Sequence, residues 1–145
     1  GFKIAAHLMP NLAGSTPEMD IKMINEFFEN PDFRTDHLKI YPCVVTPYTE
    51  LETWHQQGRY QSYDDQTLIN ILVEIKKNIP EYVRIERLFR DIPGESIISG
   101  SQKTNMRQLL VDIMKKRGIK CRCIRCREIK GDEYNRDDLV LQTYE

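Results

Sequence analysis

The sequence predicts an α/β chain built on a parallel sheet. Short runs with strand character recur at Phe2–Met9, Leu38–Tyr41 and Tyr82–Phe89. Between them lie stretches whose apolar residues return every three or four positions, the period of a helix with one buried face. Strands alternating with helices form βαβ units, and βαβ units form parallel sheets. A chain of 145 residues is one domain, or one domain with an appendage.

Each element has a local reason. Phe2, Ile4, Ala6 and Leu8 alternate with Lys3, Ala5 and His7, and Pro10 stops the strand. Residues 11–14 read as a turn. Ser15 and Glu18 form a capping box that opens a helix on the stripe Ile21, Ile24, Phe27 and Phe28, with Met19 and Met23 beside it. Asn30-Pro31 ends that helix. Leu38–Tyr41 is the second strand, stopped by Pro42, and Cys43–Val45 continues to a loop at Pro47. A short helix is expected from Glu50 to Gln57. Ser62 and Asp65 form a second capping box, for a helix reaching about Asn78 on the stripe Leu68, Ile71, Leu72 and Ile75. Tyr82–Phe89 is the third strand, and residues 94–101 connect it onward. Thr104 or Asn105 caps a last helix, with Leu109, Leu110, Ile113 and Met114 inward and Gly118 as its stop. The segment after it reads as a strand, residues 131–138 as a polar loop, and Leu139–Tyr144 as another strand.

Parallel sheets carry their sites at the carboxyl ends of the strands. His7, Lys39 with Tyr41, and Arg87 with Arg90 and Asp91 lie towards those ends. If the sheet curves into a barrel, Lys3, His7, Lys39 and Tyr41 share its inward parity. For His7 the plain alternative is a structural histidine. Lys39, between Leu38 and Ile40, needs an anionic partner, because an unpaired buried charge costs several kcal/mol.

The densest chemistry lies in Cys121-Arg122-Cys123-Ile124-Arg125-Cys126-Arg127. Three thiols this close can converge on one cation, and soft thiolates suit zinc or an iron–sulfur centre. The flanking arginines favour the thiolate form and also offer bidentate contacts to phosphate. The plain alternative is a basic strand with incidental cysteines. On a straight strand the Cys126 thiol would face away from the other two, so a turn or bulge near Ile124 is needed to bring it round. Three thiolates leave a tetrahedral ion one ligand short. His7, His37, His55, Cys43, water or a residue outside the chain could complete it.

The net charge of −1 conceals an asymmetry: residues 101–130 carry +8 and the remainder −9. A basic block on an acidic chain is a footprint for nucleic acid, and the alternative is a solvated helix face. The block places Lys115, Lys116, Arg117, Arg122, Arg125 and Arg127 as candidate RNA contacts. No apolar run approaches the ~18 residues of a membrane span, so no membrane partner is expected. Three of the four cysteines are clustered, unlike a secreted disulfide framework, which suggests a reducing, cytoplasmic setting. Gly1 opens directly on a strand-like run, as a piece of a longer polypeptide would.

Several runs together resemble the catalytic subunit of Elongator, a radical S-adenosylmethionine (SAM) tRNA-modifying family. They are His7–Pro10, Phe27–Arg34, Leu38–Pro42, Gly58–Tyr60, Arg90–Pro93, Asn105–Arg107 and Cys121–Glu128, all collinear. The resemblance implies the second half of a partial (β/α) TIM-like radical SAM barrel with a C-terminal zinc-binding extension. Residues 1–93 would be barrel, residues 94–138 the extension, and residues 139–145 the start of an acetyltransferase-like domain. It implies zinc on Cys121, Cys123 and Cys126. For the full-length protein it implies a 4Fe–4S cluster, SAM, and acetyl-CoA as co-substrate for carboxymethylating C5 of the wobble uridine. Lys39, Tyr41, Arg87 and Arg90 become candidate cofactor contacts, and His7, Lys39 and Tyr41 candidate catalytic groups. The partners it implies are tRNA and Elongator-like subunits or a second copy. The cluster-binding C-x3-C-x2-C spacing is absent from this chain, so this segment alone should not perform radical chemistry. Phe89 stands where the resemblance expects glutamine, and Lys130 intervenes before Gly131. Two other readings are a zinc-stabilised, non-catalytic RNA-binding module and another radical SAM branch, such as a porphyrin-pathway enzyme.

Overall fold

A computed structural model describes residues 1–103 and 105–143. The strands are β1 (Ala5–Leu8), β2 (His37–Ile40) and β3 (Arg84–Leu88). The helices are α1 (Pro17–Glu29), α2 (Glu50–Gln56), α3 (Asp65–Asn78), α4 (Met106–Lys116) and the single turn α5 (Ile124–Arg127). The three strands form one sheet in the order β1-β2-β3, and both pairings are parallel. The βαβ arrangement expected from the sequence is therefore present.

One parity of the sheet is buried and the other is not. Leu38, Ile40, Ile85 and Leu88 are almost wholly inaccessible and pack with Ile24 of α1 and the apolar face of α3. Residues on the opposite parity, His37, Lys39, Arg84 and Glu86, are only half-buried. The alternation breaks once. Leu38 pairs with Ile85 but Lys39 pairs with Arg87, so Glu86 is the extra residue of a bulge. A bulge twists its strand and re-aims a side chain.

The helix starts differ from the expected ones. Thr16, not Ser15, caps α1: its hydroxyl accepts from the Met19 amide, and Pro17 follows at the first helical position. Ser15 donates instead to the Asp20 carboxylate. Asp64, not Ser62, caps α3 by accepting from the Thr67 amide at 2.7 Å. Asn105 occupies the cap position of α4 without a side-chain cap bond, and Thr104 lies outside the described residues. Gly118 ends that helix with φ +68°, a conformation that favours glycine. The cysteine segment is not a strand: Cys121 and Arg122 are irregular, and Cys123 occupies the cap position of α5 without a side-chain cap bond. Residues 139–143 are exposed and irregular rather than extended into a strand, and Tyr144 lies outside the described residues.

The turn after β1 is held by one buried asparagine. Asn11 adopts φ +69° and is 2% exposed. Its amide donates to Asp20 at 2.8 Å and its Nδ2 to the Cys43 carbonyl at 3.0 Å. Its Oδ1 accepts from the Tyr63 amide at 3.1 Å, and its carbonyl accepts from the Tyr60 hydroxyl at 2.7 Å. Burial pushes the Tyr60 hydroxyl up to about 12, so it remains a donor at neutral pH. Asparagine tolerates the left-handed region better than most residues. Asn11→Ala removes two buried hydrogen-bond partners and adds backbone strain, so it should lower unfolding free energy by ~2–4 kcal/mol. Asn11→Gly relieves the strain and should cost less. Urea unfolding of the two variants measures the difference.

Candidate functional site

The half-buried face of the sheet gathers a polar constellation around Glu86. Its Oε1 lies 2.9 Å from His37 Nδ1 and its Oε2 lies 3.7 Å from Lys39 Nζ. The bulge in β3 puts this carboxylate between two β2 side chains two residues apart. Lys39 thus has the anionic partner its position requires, although its side chain is 35% exposed rather than deeply buried. His7 pairs with Lys39 across β1 and β2, and its ring meets the Tyr41 ring edge-on at 5.4 Å. His7, Lys39 and Tyr41 therefore lie together. Lys3 lies apart, bound to Asp36 at 2.9 Å.

Arg87 and Arg90 are exposed near the carboxyl end of β3. Arg87 reaches Asp91 at 3.2 Å. Phe89, Arg90, Asp91 and Pro93 line a cavity of about 280 Å³ with Gln102 and Lys103. Phe89 has φ +127°, strained for a residue with a side chain. The strained position is the one where the resemblance expects glutamine, and strain of this kind concentrates at binding sites.

The cysteines form the second constellation. The sulfurs of Cys121, Cys123 and Cys126 lie within 4.8 Å of one another. Thiolates around a tetrahedral zinc at ~2.3 Å stand about 3.8 Å apart, so small side-chain shifts would close the set on an ion. The turn needed near Ile124 is α5 itself: the Cys126 amide donates to the Cys123 carbonyl at 3.0 Å, which stacks the two residues on one helical face. Cys123 is wholly buried. The donor set fits a thiophilic divalent ion such as zinc. Among the described residues, His7, His37, His55 and Cys43 do not join this group.

The cation that faces the thiols comes from elsewhere in the chain. Lys76 of α3 is 0% exposed, and its Nζ donates to Cys126 Sγ at 3.6 Å. Hydrogen bonds from Cys121 and Cys123 hold Cys126 well below the usual thiol range, and Lys76 and Arg107 push the same way. Hydrogen bonds with Cys123 and Cys126, together with burial, push Cys121 up. The thiol favoured as thiolate, Cys126, is therefore the one that faces the buried Lys76. With a divalent ion, three thiolates carry a net −1 that Lys76 again neutralises. Sequence reasoning missed Lys76, although it falls four residues after Leu72 and eight after Leu68, on the apolar face of α3. It missed Glu86 too; the signal was two polar residues in succession, which breaks a strand's period of two.

The neighbouring arginines fasten the segment down. Arg122 makes a two-pronged contact with Glu81 at 2.8 and 3.0 Å. Arg127 donates to the carbonyls of Glu81 and Arg122 at 2.5 and 2.7 Å. Arg125 donates to the Glu86 carbonyl, and Arg84 pairs with Glu128. The Ile124 amide donates to the Val83 carbonyl at 3.0 Å. These contacts tie α5 to β3, so at least part of the arginine spacing serves packing. Lys115 and Lys116 project from the last turn of α4, and Arg117 donates to Asn70 Oδ1 from both terminal nitrogens.

A parallel sheet with helices on one face and an appended thiol cluster defines the class. The radical SAM C-terminal domain family matches residues 35–116, and this chain belongs to it. It is 47% identical over 129 residues to a tRNA uridine(34) acetyltransferase of Methanocaldococcus jannaschii, covering 89% of this chain and 24% of that relative. It is 43% identical over 129 residues to Elongator complex protein 3 of Saccharomyces cerevisiae, covering 89% of this chain and 23% of that relative. The solved structure of Methanocaldococcus infernus Elp3 with an N-terminal deletion aligns with a TM-score of 0.82 at 44% identity, over 86% of this chain and 29% of that one. The chain thus spans about a quarter of the length of the curated relatives it matches. The parallel α/β fold expected from the sequence is shared with that neighbour's matching region.

The two metal groups that the resemblance implies fare differently. The radical 4Fe–4S cluster does not fit these residues, because the thiols follow a C-x-C-x2-C spacing rather than C-x3-C-x2-C. Zinc fits Cys121, Cys123 and Cys126, with Lys76 as the charge-balancing neighbour. Lys76→Met keeps the length and removes the charge. It should weaken metal binding about 10–100-fold, the usual effect of losing a supporting partner around metal ligands. Competition with a chromophoric chelator, on wild type and variant, reads the change.

Proposed function

We propose that this chain is the second half of a radical SAM barrel and its metal-bearing extension, from an enzyme that modifies tRNA. The reaction is carboxymethylation at C5 of the wobble uridine, with SAM and acetyl-CoA as cofactor and co-substrate of the full-length protein. The observation that carries this reading is the collinear similarity, over 89% of the chain, to proteins named tRNA uridine(34) acetyltransferase and Elongator complex protein 3. The geometry supports it from the side of the site. His7, Lys39, Tyr41 and Glu86 lie on the one sheet face not filled by helices, the face that a barrel turns inward.

In this reading residues 1–93 form barrel wall, residues 94–138 the extension and residues 139–145 the approach to an acetyltransferase-like domain. Lys39 and Tyr41 contact the anionic or aromatic parts of a bound cofactor or of the extruded uridine, since a base within a folded loop is reached by flipping it out. Arg87 and Arg90 offer phosphate or carboxylate contacts at the strand end. Lys115, Lys116 and Arg117, with the outward edges of Arg122, Arg125 and Arg127, contact tRNA phosphates. The metal on the three cysteines is structural and fixes the extension against β3. The setting is cytoplasmic, with Elongator-like subunits or a second copy as partners. Among the described residues no helix is long and apolar enough to cross a membrane.

Lys39→Met in the full-length protein tests the reading. Glu86 keeps His37, so the variant should stay folded while wobble-uridine modification is lost. Mass spectrometry of nucleosides from treated tRNA reads the outcome. A variant as active as wild type would reduce Lys39 to a structural residue.

A further inference from the structure

Beside the cysteine cluster is an open cavity of about 460 Å³, lined by α4, the turn at Gly118 and the cysteine segment. Seven of its thirteen lining residues are lysine or arginine and none is acidic. Arg107 and Lys115 come from α4, Lys120 from the turn, Arg125 from α5 and Lys130 from the residues beyond. Lys76 lies at the inner wall, with Cys121 and Cys126. Val111, Met114 and Ile119 supply an apolar side.

Like charges drawn around one space repel, more so where part of the wall excludes water. Within the wall Cys126 offsets one charge, that of Lys76, and the acids Glu128, Glu81 and Asp112 are engaged elsewhere. Glu128 pairs with Arg84, Glu81 with Arg122, and Asp112 accepts from Gln108 at 3.0 Å. One donor shows the shortfall directly: Arg107 Nη1 is buried and finds no acceptor among the described residues. A buried guanidinium donor without a protein partner is met by water or by an anion. Seven cationic side chains around one cavity favour an anion, one whose oxygens accept from several directions at once.

We propose that this cavity is a phosphate-binding site, with Arg107 and Lys120 as its principal donors and Lys76 and the cysteine cluster as its inner wall. A phosphate group has the charge and the divergent oxygens to meet a guanidinium and several ammonium groups together. The site goes beyond the RNA surface described above, because Arg107, Lys120 and Lys130 have no part in that surface. It also stands apart from whether the parent protein modifies tRNA. A polynucleotide backbone and a free phosphate ester supply the same group, and the binding experiment separates them.

Titrate the full-length, metal-loaded protein with inorganic pyrophosphate by calorimetry. Saturable binding at one site per chain is expected. Arg107→Gln and Lys120→Gln should each weaken it about tenfold, the loss of one charge-assisted hydrogen bond. In Lys120→Gln, metal content and melting temperature should stay at wild-type values. Lys120 is exposed, so its variant keeps the test sound if Arg107→Gln unfolds the segment. Then measure binding of an anticodon stem-loop RNA. RNA that pyrophosphate displaces, and that both variants bind more weakly, identifies the phosphate as that of a polynucleotide. RNA binding unchanged beside lost pyrophosphate binding identifies a free phosphate ester. Absence of saturable pyrophosphate binding, or equal affinity in wild type and both variants, overturns the proposal. Pyrophosphate binding by a protein that modifies no tRNA would leave the site standing and count against the enzymatic reading alone.

Discussion

A lysine with no solvent exposure needs an anion, and most of the C-terminal architecture follows from how Lys76 obtains one. The helix that carries it, α3, packs beneath the sheet through Leu68, Leu72 and Ile75, so the ammonium cannot swing out to water without disturbing the core. Its counter-charge is supplied by a segment fifty residues away in sequence, at Cys126. That segment must therefore fold back over α3 and β3. The wholly buried Cys123, the Ile124 amide on the Val83 carbonyl and the arginine contacts to Glu81 and Glu86 hold it there. Three thiolates around a divalent ion carry a net −1, which the charge of Lys76 offsets.

The same sheet separates structure from chemistry. Its buried parity joins the layer of α1 and α3, and its other parity presents His37, Lys39 and Glu86, with His7 on the neighbouring strand. The bulge at Glu86 makes the second possible: in strict alternation with Ile85 buried, Arg87 would follow on the buried side. The extra residue restores Leu88 to the core and leaves Glu86 between His37 and Lys39. One irregular residue thus serves packing and pairing together.

The parallel α/β fold was legible because strand and helix periods are properties of neighbouring residues. The helix starts were misplaced by one or two residues where several good caps stand together, as with Ser15 and Thr16 or Ser62 and Asp64; their side chains bond differently only once the chain is folded. Cys121–Arg127 looked like a strand because its arginines recur at short spacing, yet those arginines answer to Glu81 and Glu86 across the fold. The thiol cluster was legible because its members are adjacent in sequence. Its partner Lys76 was not, since a lysine on an apolar stripe signals a buried counter-charge without saying where it lies. Glu86 was hidden the same way, by a bulge that only the register with β2 reveals.

The central claim is that Cys121, Cys123 and Cys126, backed by Lys76, form a structural metal centre. Elemental analysis of anaerobically purified full-length protein, followed by melting with and without a chelator, tests it most directly. The expected result is about one zinc per chain that resists dialysis, with a lower melting temperature once it is stripped. A metal-free protein that melts at the same temperature with or without added zinc would contradict it.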